Sequence, residues 1–195
     1  TKMMILNYPN NPLAATAPRE FFADVLTFAQ KYNIMVIHDF AYSELCFDGY
    51  RPDSFLSLPG AKEVGIEFHS LSKTYSMAGC RIAMAVGNSK VISLLGQLKS
   101  NFDYGVFYPV QYAAVAALTG PQDCVAQTAL AYQRRRDILV DGFADMGWKV
   151  DRPKGSMYIW APVPTKQTSL AFAADLLRAT GVAVIPGSGF GPHGE

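Results

Sequence analysis

Charge is scarce in this sequence and evenly split. Lys and Arg number 17 against 16 Asp and Glu, together 17% of the 195 residues, for a net charge of +1. Without a run of one sign there is no basic stripe to meet a nucleic-acid backbone, so no nucleic-acid partner is expected. No uninterrupted apolar segment approaches the roughly 20 residues that a membrane helix needs, and no membrane partner is expected. Cysteine is rare: Cys46, Cys80 and Cys124 cannot all pair, and their spacing matches no metal site. Free thiols in a reducing cytoplasm are predicted, with no bound metal. Apolar residues, by contrast, make up 50% of the chain, enough for a packed core and too many for disorder.

Hydrophobic patterning organises the first part of the chain. Residues 3–6 read as a buried strand running into the breaker cluster Asn7-Tyr8-Pro9-Asn10-Asn11-Pro12. Thr16 is a predicted N-cap with Pro18 in the first turn, and Phe21, Phe22, Val25, Leu26 and Ala29 recur at helical spacing as far as Tyr32. Residues 34–38 read as a second buried strand ending at Asp39. Strand, helix and strand make a βαβ unit, which predicts an α/β fold with a mainly parallel sheet covered by helices. Ligands on such sheets bind at the carboxyl ends of the strands, where Asn11, Asp39 and Lys73 each follow a predicted strand.

Two further strands are predicted at 64–69 and 82–86, then a helix over 89–101, a buried apolar helix over 109–118 and a long helix over 122–146. Within that long helix Arg134-Arg135-Arg136 is predicted to be a solvated face, because Ala131, Ile138 and Leu139 take the apolar positions. After Gly147 the pattern becomes α+β, with strands at 148–150, 156–160 and 182–185 and a helix over 170–179. A domain boundary near Gly120-Pro121 divides a larger domain, 1–120, from a smaller one, 121–195. A start almost inside a strand and an end on a Gly-rich loop predict a piece of a longer protein.

Between two of the apolar strands lies Ser70-Leu71-Ser72-Lys73-Thr74-Tyr75-Ser76-Met77-Ala78-Gly79-Cys80-Arg81. A lysine and an arginine placed there cost several kcal/mol of desolvation each unless something pairs with them. A bound anion with a carbonyl on the same molecule satisfies both. Ser70, Ser72 and the planar fork of Arg81 suit a phosphate, and Lys73 suits a Schiff base with an aldehyde. Pyridoxal 5′-phosphate carries both groups.

The pattern Ser70-x-Ser72-Lys73-x5-Gly79-x-Arg81 resembles the cofactor-lysine motif of class I/II aminotransferases, within the fold-type I pyridoxal-phosphate enzymes. Asn10-Asn11-Pro12 and Asp39-Phe40-Ala41-Tyr42 resemble two more segments of that family. The resemblance implies that the Asn11 amide bonds the ring hydroxyl and the substrate carboxylate, and that Asp39 keeps the pyridine nitrogen protonated. It also implies that Tyr42 bonds the phenolic oxygen and that Ala41 leaves room for the flat ring. Lys73 would move a proton between substrate and cofactor carbons. The chain departs from the family at Leu13-Ala14, where Thr-Gly is usual, and at Ala83, where glycine is usual.

The implied function is transfer of an amino group between an amino acid and a 2-oxo acid. Phe102-Asp103-Tyr104-Gly105 and Gly155-Ser156-Met157-Tyr158-Ile159-Trp160 are most similar to the glutamate–pyruvate, alanine-forming branch. The resemblance further implies a cytoplasmic homodimer, with 102–105 at the subunit interface. Two other readings fit the same motifs: a ligand-sensing aminotransferase-like domain of a transcription regulator, and a fold-type I lyase.

Overall fold

Strand β1 (Met3–Asn7), helix α1 (Arg19–Tyr32) and strand β2 (Met35–Asp39) form the first βαβ unit in a computed structural model that describes residues 1–195. In α1 the residues Phe22, Val25, Leu26 and Ala29 fall on one face and are buried. Pro18, not Thr16, occupies the cap position and makes no side-chain cap bond, so the helix starts at Arg19. Asn33 ends it in the left-handed region, at φ 51°, with its N–H on the Ala29 carbonyl.

Helix α2 (Ala61–Val64) leads into β3 (Gly65–Ser70), and the four-residue helix α3 (Leu71–Thr74) follows it directly, ahead of β4 (Ala83–Gly87). The sheet runs β1-β2-β3-β4. The first three strands are parallel and β4 is antiparallel to β3. The mainly parallel α/β architecture expected from the βαβ pattern is therefore present, with a reversed edge strand.

Register decides which side chains share a face. Leu6, His38 and Glu67 lie opposite one another across β1, β2 and β3, as do Asn7, Asp39 and Phe68. Leu6 and Val36 join Phe22, Val25, Leu26, Ala29 and Phe55 in the main core. Each large apolar side chain fully buried there contributes about 1.5–3 kcal/mol. At the far end of β4, Gly87 has φ +132° and a Cβ there would come 2.8 Å from the Ile66 Cα. Only glycine meets both demands.

Beyond the sheet come α4 (Ser89–Phe102), α5 (Tyr108–Thr119), α6 (Asp123–Asp145) and α7 (Ser169–Thr180). The chain forms two compact units, one of Thr1–Asp137 with Arg152–Ile159, the other of Ile138–Asp151 with Trp160–Glu195. In the second unit Trp148 packs on Phe143 and Phe172 and gives its indole N–H to the Pro162 carbonyl at 2.7 Å.

Three further expectations need correction. Arg134 and Arg135 are exposed, but Arg136 is only 4% exposed. It donates to both Asp48 carboxylate oxygens at 2.6 and 3.0 Å, to Asp137 and to the Pro153 carbonyl, and it lies 4.9 Å from the Phe47 ring. A partner 88 residues away outweighs the local helical pattern. Helix α5 is apolar yet buries only Ala114, because no other described element covers Tyr112 and Val115. Residues 148–150, 156–160 and 182–185 form no named strand. Strand propensity needs a ladder partner, and the region's β-pairing is a single bridge between Cys46 and Gly155.

Candidate active site

The carboxyl ends of β1, β2 and β3 deliver the candidate residues to one edge of the sheet. Asp39 is the last residue of β2, and its Oδ1 accepts the Ala41 N–H at 3.3 Å. Ser70 is the last residue of β3, and its Oγ accepts the Ser72 N–H at 3.2 Å, turning the chain into α3. One turn on, the Lys73 ammonium lies 6.0 Å from the centre of the Tyr42 ring and makes no ion pair. Asp39, Ala41 and Ser70, with Ile5, Ile37 and Phe68, line a cleft of about 430 Å³ on one face of the sheet.

Asn7 ties the Asn11 loop to this edge. Its Nδ2 donates to the Asp39 carbonyl at 3.0 Å, while its Oδ1 accepts the Asn11 N–H at 2.8 Å. Asn10 closes the loop by accepting the Leu13 N–H at 3.0 Å. The Leu13-Ala14 departure is thus accommodated in a hydrogen-bonded turn, with Ala14 held at φ 56°.

Tyr42 is buried, and its hydroxyl lies 3.1 Å from that of Tyr158. Burial pushes the Tyr42 phenol well above its ordinary range. The Tyr158 hydroxyl and the Asp39 carboxylate push the same way, and the Asn11 side chain pulls against them. Burial, Tyr158 and Asp39 thus all favour the form of Tyr42 that keeps its proton.

Arg81 stands apart from the serines. It takes the left-handed conformation at φ 52°, is exposed, and gives Nη1 to the Ala78 carbonyl at 2.9 Å. Pairing of Ser70 with Ala83 brings its backbone to within two residues of the Ser70 position. The structure thus gathers Asn11, Asp39, Tyr42 and Lys73, joins Ser70 to Ser72, and leaves the Arg81 guanidinium without a hydrogen bond to either serine.

Beneath the edge is a polar network that sequence reasoning did not find. Glu67 Oε1 accepts from His38 Nδ1 at 3.1 Å, Ser54 Oγ at 2.8 Å and the Leu56 N–H at 3.2 Å, and Oε2 pairs with His69 Nε2 at 3.1 Å. His38 Nε2 meets the Tyr8 carbonyl at 3.1 Å. Burial works to raise the Glu67 carboxyl, but the bonds from His38, His69, Ser54 and Leu56 outweigh it and hold it well below the usual carboxylate range. The available signal was a titratable side chain, His38 in β2 and Glu67 in β3, inside a strand that otherwise reads as apolar. Asn7 and Tyr158 were also missed, since nothing local marks an asparagine or a tyrosine as a partner of the site.

The donor set fits pyridoxal 5′-phosphate. An amine without an ion pair suits the aldehyde, a strand-end carboxylate suits the pyridinium, and a buried phenol with an amide suits the phenolic oxygen. The Ser70 and Ser72 hydroxyls and the Arg81 guanidinium are donors of the kind a phosphate accepts.

Comparison with known proteins is consistent with this geometry. The family model for aminotransferase class I and II matches residues 1–194. The LL-diaminopimelate aminotransferase of Desulforudis audaxviator is 55% identical over 194 residues, covering 100% of this chain and 50% of that protein. The glutamate-pyruvate aminotransferase AlaC of Escherichia coli is 48% identical, covering 100% and 48%. An aromatic aminotransferase from Pyrococcus horikoshii superposes with a TM-score of 0.93 at 30% identity, covering 100% of this chain and 53% of that one. The chain therefore spans about half the length of the curated relatives it matches.

Proposed function

The chain belongs to the class I and II aminotransferase family, and from that premise we propose that the whole protein moves an amino group between an amino acid and a 2-oxo acid. The single observation that carries the reading is the Lys73 amine, free of any ion pair and 6.0 Å from the centre of the Tyr42 ring, on the sheet edge where Asp39 ends β2. The family depends on pyridoxal 5′-phosphate, which supplies an aldehyde to hold the substrate nitrogen and a ring to take up electrons from the substrate.

The chain's own residues have these roles in the proposal. Lys73 would hold the cofactor through its amine and, once freed by substrate, would accept and return a proton at Nζ. Asp39, at the end of β2, would hold the ring nitrogen in its protonated form. Tyr42 donates its phenolic proton to the ring oxygen, and the Asn11 amide shares that oxygen and the substrate carboxylate. Ser70, Ser72 and Arg81 hold the phosphate, Arg81 by turning its guanidinium from the Ala78 carbonyl. The division into a cofactor domain over 1–120 and a smaller domain over 121–195 belongs to the same proposal.

Two substrate readings are supported by particular relatives. Identities of 55% and 53% to LL-diaminopimelate aminotransferases favour LL-diaminopimelate as amino donor. The 48% identity to a glutamate-pyruvate aminotransferase supports the alanine-forming exchange that the 102–105 and 155–160 segments suggest. A homodimer is proposed from the apolar side chains that α4, α5 and the turn between them leave uncovered, among them Phe102 at 83% and Tyr104 at 90% exposure.

The test is chemical. Borohydride reduction of the whole protein loaded with pyridoxal 5′-phosphate, followed by peptide mapping, should place the pyridoxyl group on Lys73. Label on another lysine, or none, overturns the reading. Rates with LL-diaminopimelate and 2-oxoglutarate, against glutamate and pyruvate, then separate the two substrate readings.

A further inference from the structure

Tyr158 lies against the candidate site with no role assigned so far. It follows Ser156, a buried residue whose N–H is held by the Leu45 carbonyl at 2.8 Å, and its own N–H rests on Ser156 Oγ at 3.3 Å. The neighbouring Gly155 bridges to Cys46. Tyr158 is thus fastened to the same turn that carries Tyr42, and the two rings meet edge to face at 5.8 Å and 72°.

A phenol hydroxyl has one proton to give and two lone pairs to fill. Around Tyr42 are the Tyr158 hydroxyl at 3.1 Å, the Asn11 side chain and the Asp39 carboxylate, with the Lys73 ammonium 6.0 Å from the ring centre. The Asn11 amide donates to the Tyr42 oxygen through its NH2 group, and can accept from it only by flipping end over end, which moves heavy atoms. A carbonyl in place of Tyr158 would hold the Tyr42 proton permanently, and an N–H there would never accept it. A hydroxyl does either, by rotation about its own C–O bond, with no heavy atom moving.

We infer that Tyr158 is a positioning residue for Tyr42, taking the Tyr42 proton when no acceptor is bound and donating to the Tyr42 oxygen when a phenolic oxygen of the cofactor is present. In the second arrangement Tyr42 accepts from Asn11 and Tyr158 and gives its proton to the cofactor. Each donor into Tyr42 strengthens the bond that leaves it. The nearby Asp39 carboxylate favours the protonated phenol that this arrangement needs. The inference rests on the reading of the site as a pyridoxal-phosphate site, which the test separates from it.

The test uses the whole protein loaded with pyridoxal 5′-phosphate and follows its visible absorption against pH. The midpoint reports the proton on the Lys73 nitrogen joined to the cofactor, and a weaker donor at the phenolic oxygen leaves that proton held more tightly. Tyr158→Phe should raise the midpoint by about half to one pH unit, the size one neutral hydrogen bond supplies. Tyr42→Phe should raise it at least as far, and the double variant no further than Tyr42→Phe alone. A second readout needs no cofactor: in the unloaded protein the last tyrosine to titrate in the ultraviolet should titrate earlier in Tyr158→Phe. An unmoved midpoint in Tyr158→Phe, or shifts that add in the double variant, overturns the inference and leaves the function standing. A wild-type protein that takes up no cofactor overturns both.

Discussion

His38 and Glu67 lie opposite each other on β2 and β3, joined Nδ1 to Oε1 at 3.1 Å, with side-chain exposures of 0% and 2%. The other ring nitrogen of His38 faces the Tyr8 carbonyl, which can only accept, so Nε2 carries a proton. The pair is buried and hydrogen-bonded at both ends of the imidazole. It links both strands to the loop that carries Asn11 and, through Ser54 and Leu56, to the turn after the Asp39 segment.

Removing one partner leaves the other buried and unpaired. Glu67→Ala is expected to cost about 3–5 kcal/mol, read from urea unfolding midpoints. The sign with pH follows from the depressed carboxyl. Glu67 contributes its full stabilisation above the ordinary carboxylate range and loses it as pH falls through its lowered folded value. A Glu67→Gln protein should therefore show a smaller loss of stability on acidification than the wild type. An equal loss in both would show that this carboxyl takes no part in acid unfolding.

Arg136 poses the same problem for a cation. Arg136→Ala is expected to cost about 3 kcal/mol, the low end for a broken buried pair, because Asp48 is itself 52% exposed. Arg136→Lys should recover less than half of that loss, since a lysine cannot span both Asp48 oxygens. Thermal unfolding of the three proteins side by side measures it, and full recovery by lysine would deny the two-point contact.

Asn7 serves two backbone groups at once. Asn7→Asp keeps the acceptor for the Asn11 N–H but sets a carboxylate oxygen against the Asp39 carbonyl. Stability should fall by about 1–3 kcal/mol, and the dissociation constant for pyridoxal 5′-phosphate in the whole protein should rise. Unchanged affinity alongside reduced stability would confine Asn7 to holding the fold.

Thiol chemistry separates the cysteines. Burial, and then the Glu44 charge, push the Cys46 thiol up to about 12, while Cys124 is exposed. At mildly alkaline pH an alkylating reagent should label Cys124 well before Cys46, as mass spectrometry of the peptides would show.

Gly87→Ala should cost more than about 1 kcal/mol, because the new methyl group meets the Ile66 backbone and the residue must keep φ +132°. Equilibrium unfolding at the two midpoints checks it.

The sheet and the candidate site were legible for one reason: short apolar runs broken by Asn11, Asp39 and Lys73 announce strands that end at chemistry. Periodicity found α1, α4, α6 and α7 because each carries a helical repeat of its own. It failed where a residue's environment comes from far along the chain. Arg136 reads as a surface charge until Asp48 is placed beside it, and Glu67 as an interruption of a strand until His38 is placed opposite. Residues 182–185 have the composition of a strand but no neighbour in ladder register, and Ile185 is 74% exposed. Tyr158 stood out only as part of the 155–160 segment and not as a partner of the site, since that role lies in an oxygen 3.1 Å away on a residue 116 positions earlier.

The reversal of β4 has a bearing on how this region tolerates change. Because Ser70 faces Ala83 and the Leu71 N–H reaches back to the Ile82 carbonyl, Lys73 and Arg81 ride on a closed excursion whose two feet are clamped together. Lengthening that excursion near Ser76, which is exposed, would leave the clamp and the lysine where they are. Dropping one residue from β3 would turn Glu67 and His69 to the opposite face and carry Ser70 with them, dismantling the buried pair and the site's footing in one stroke.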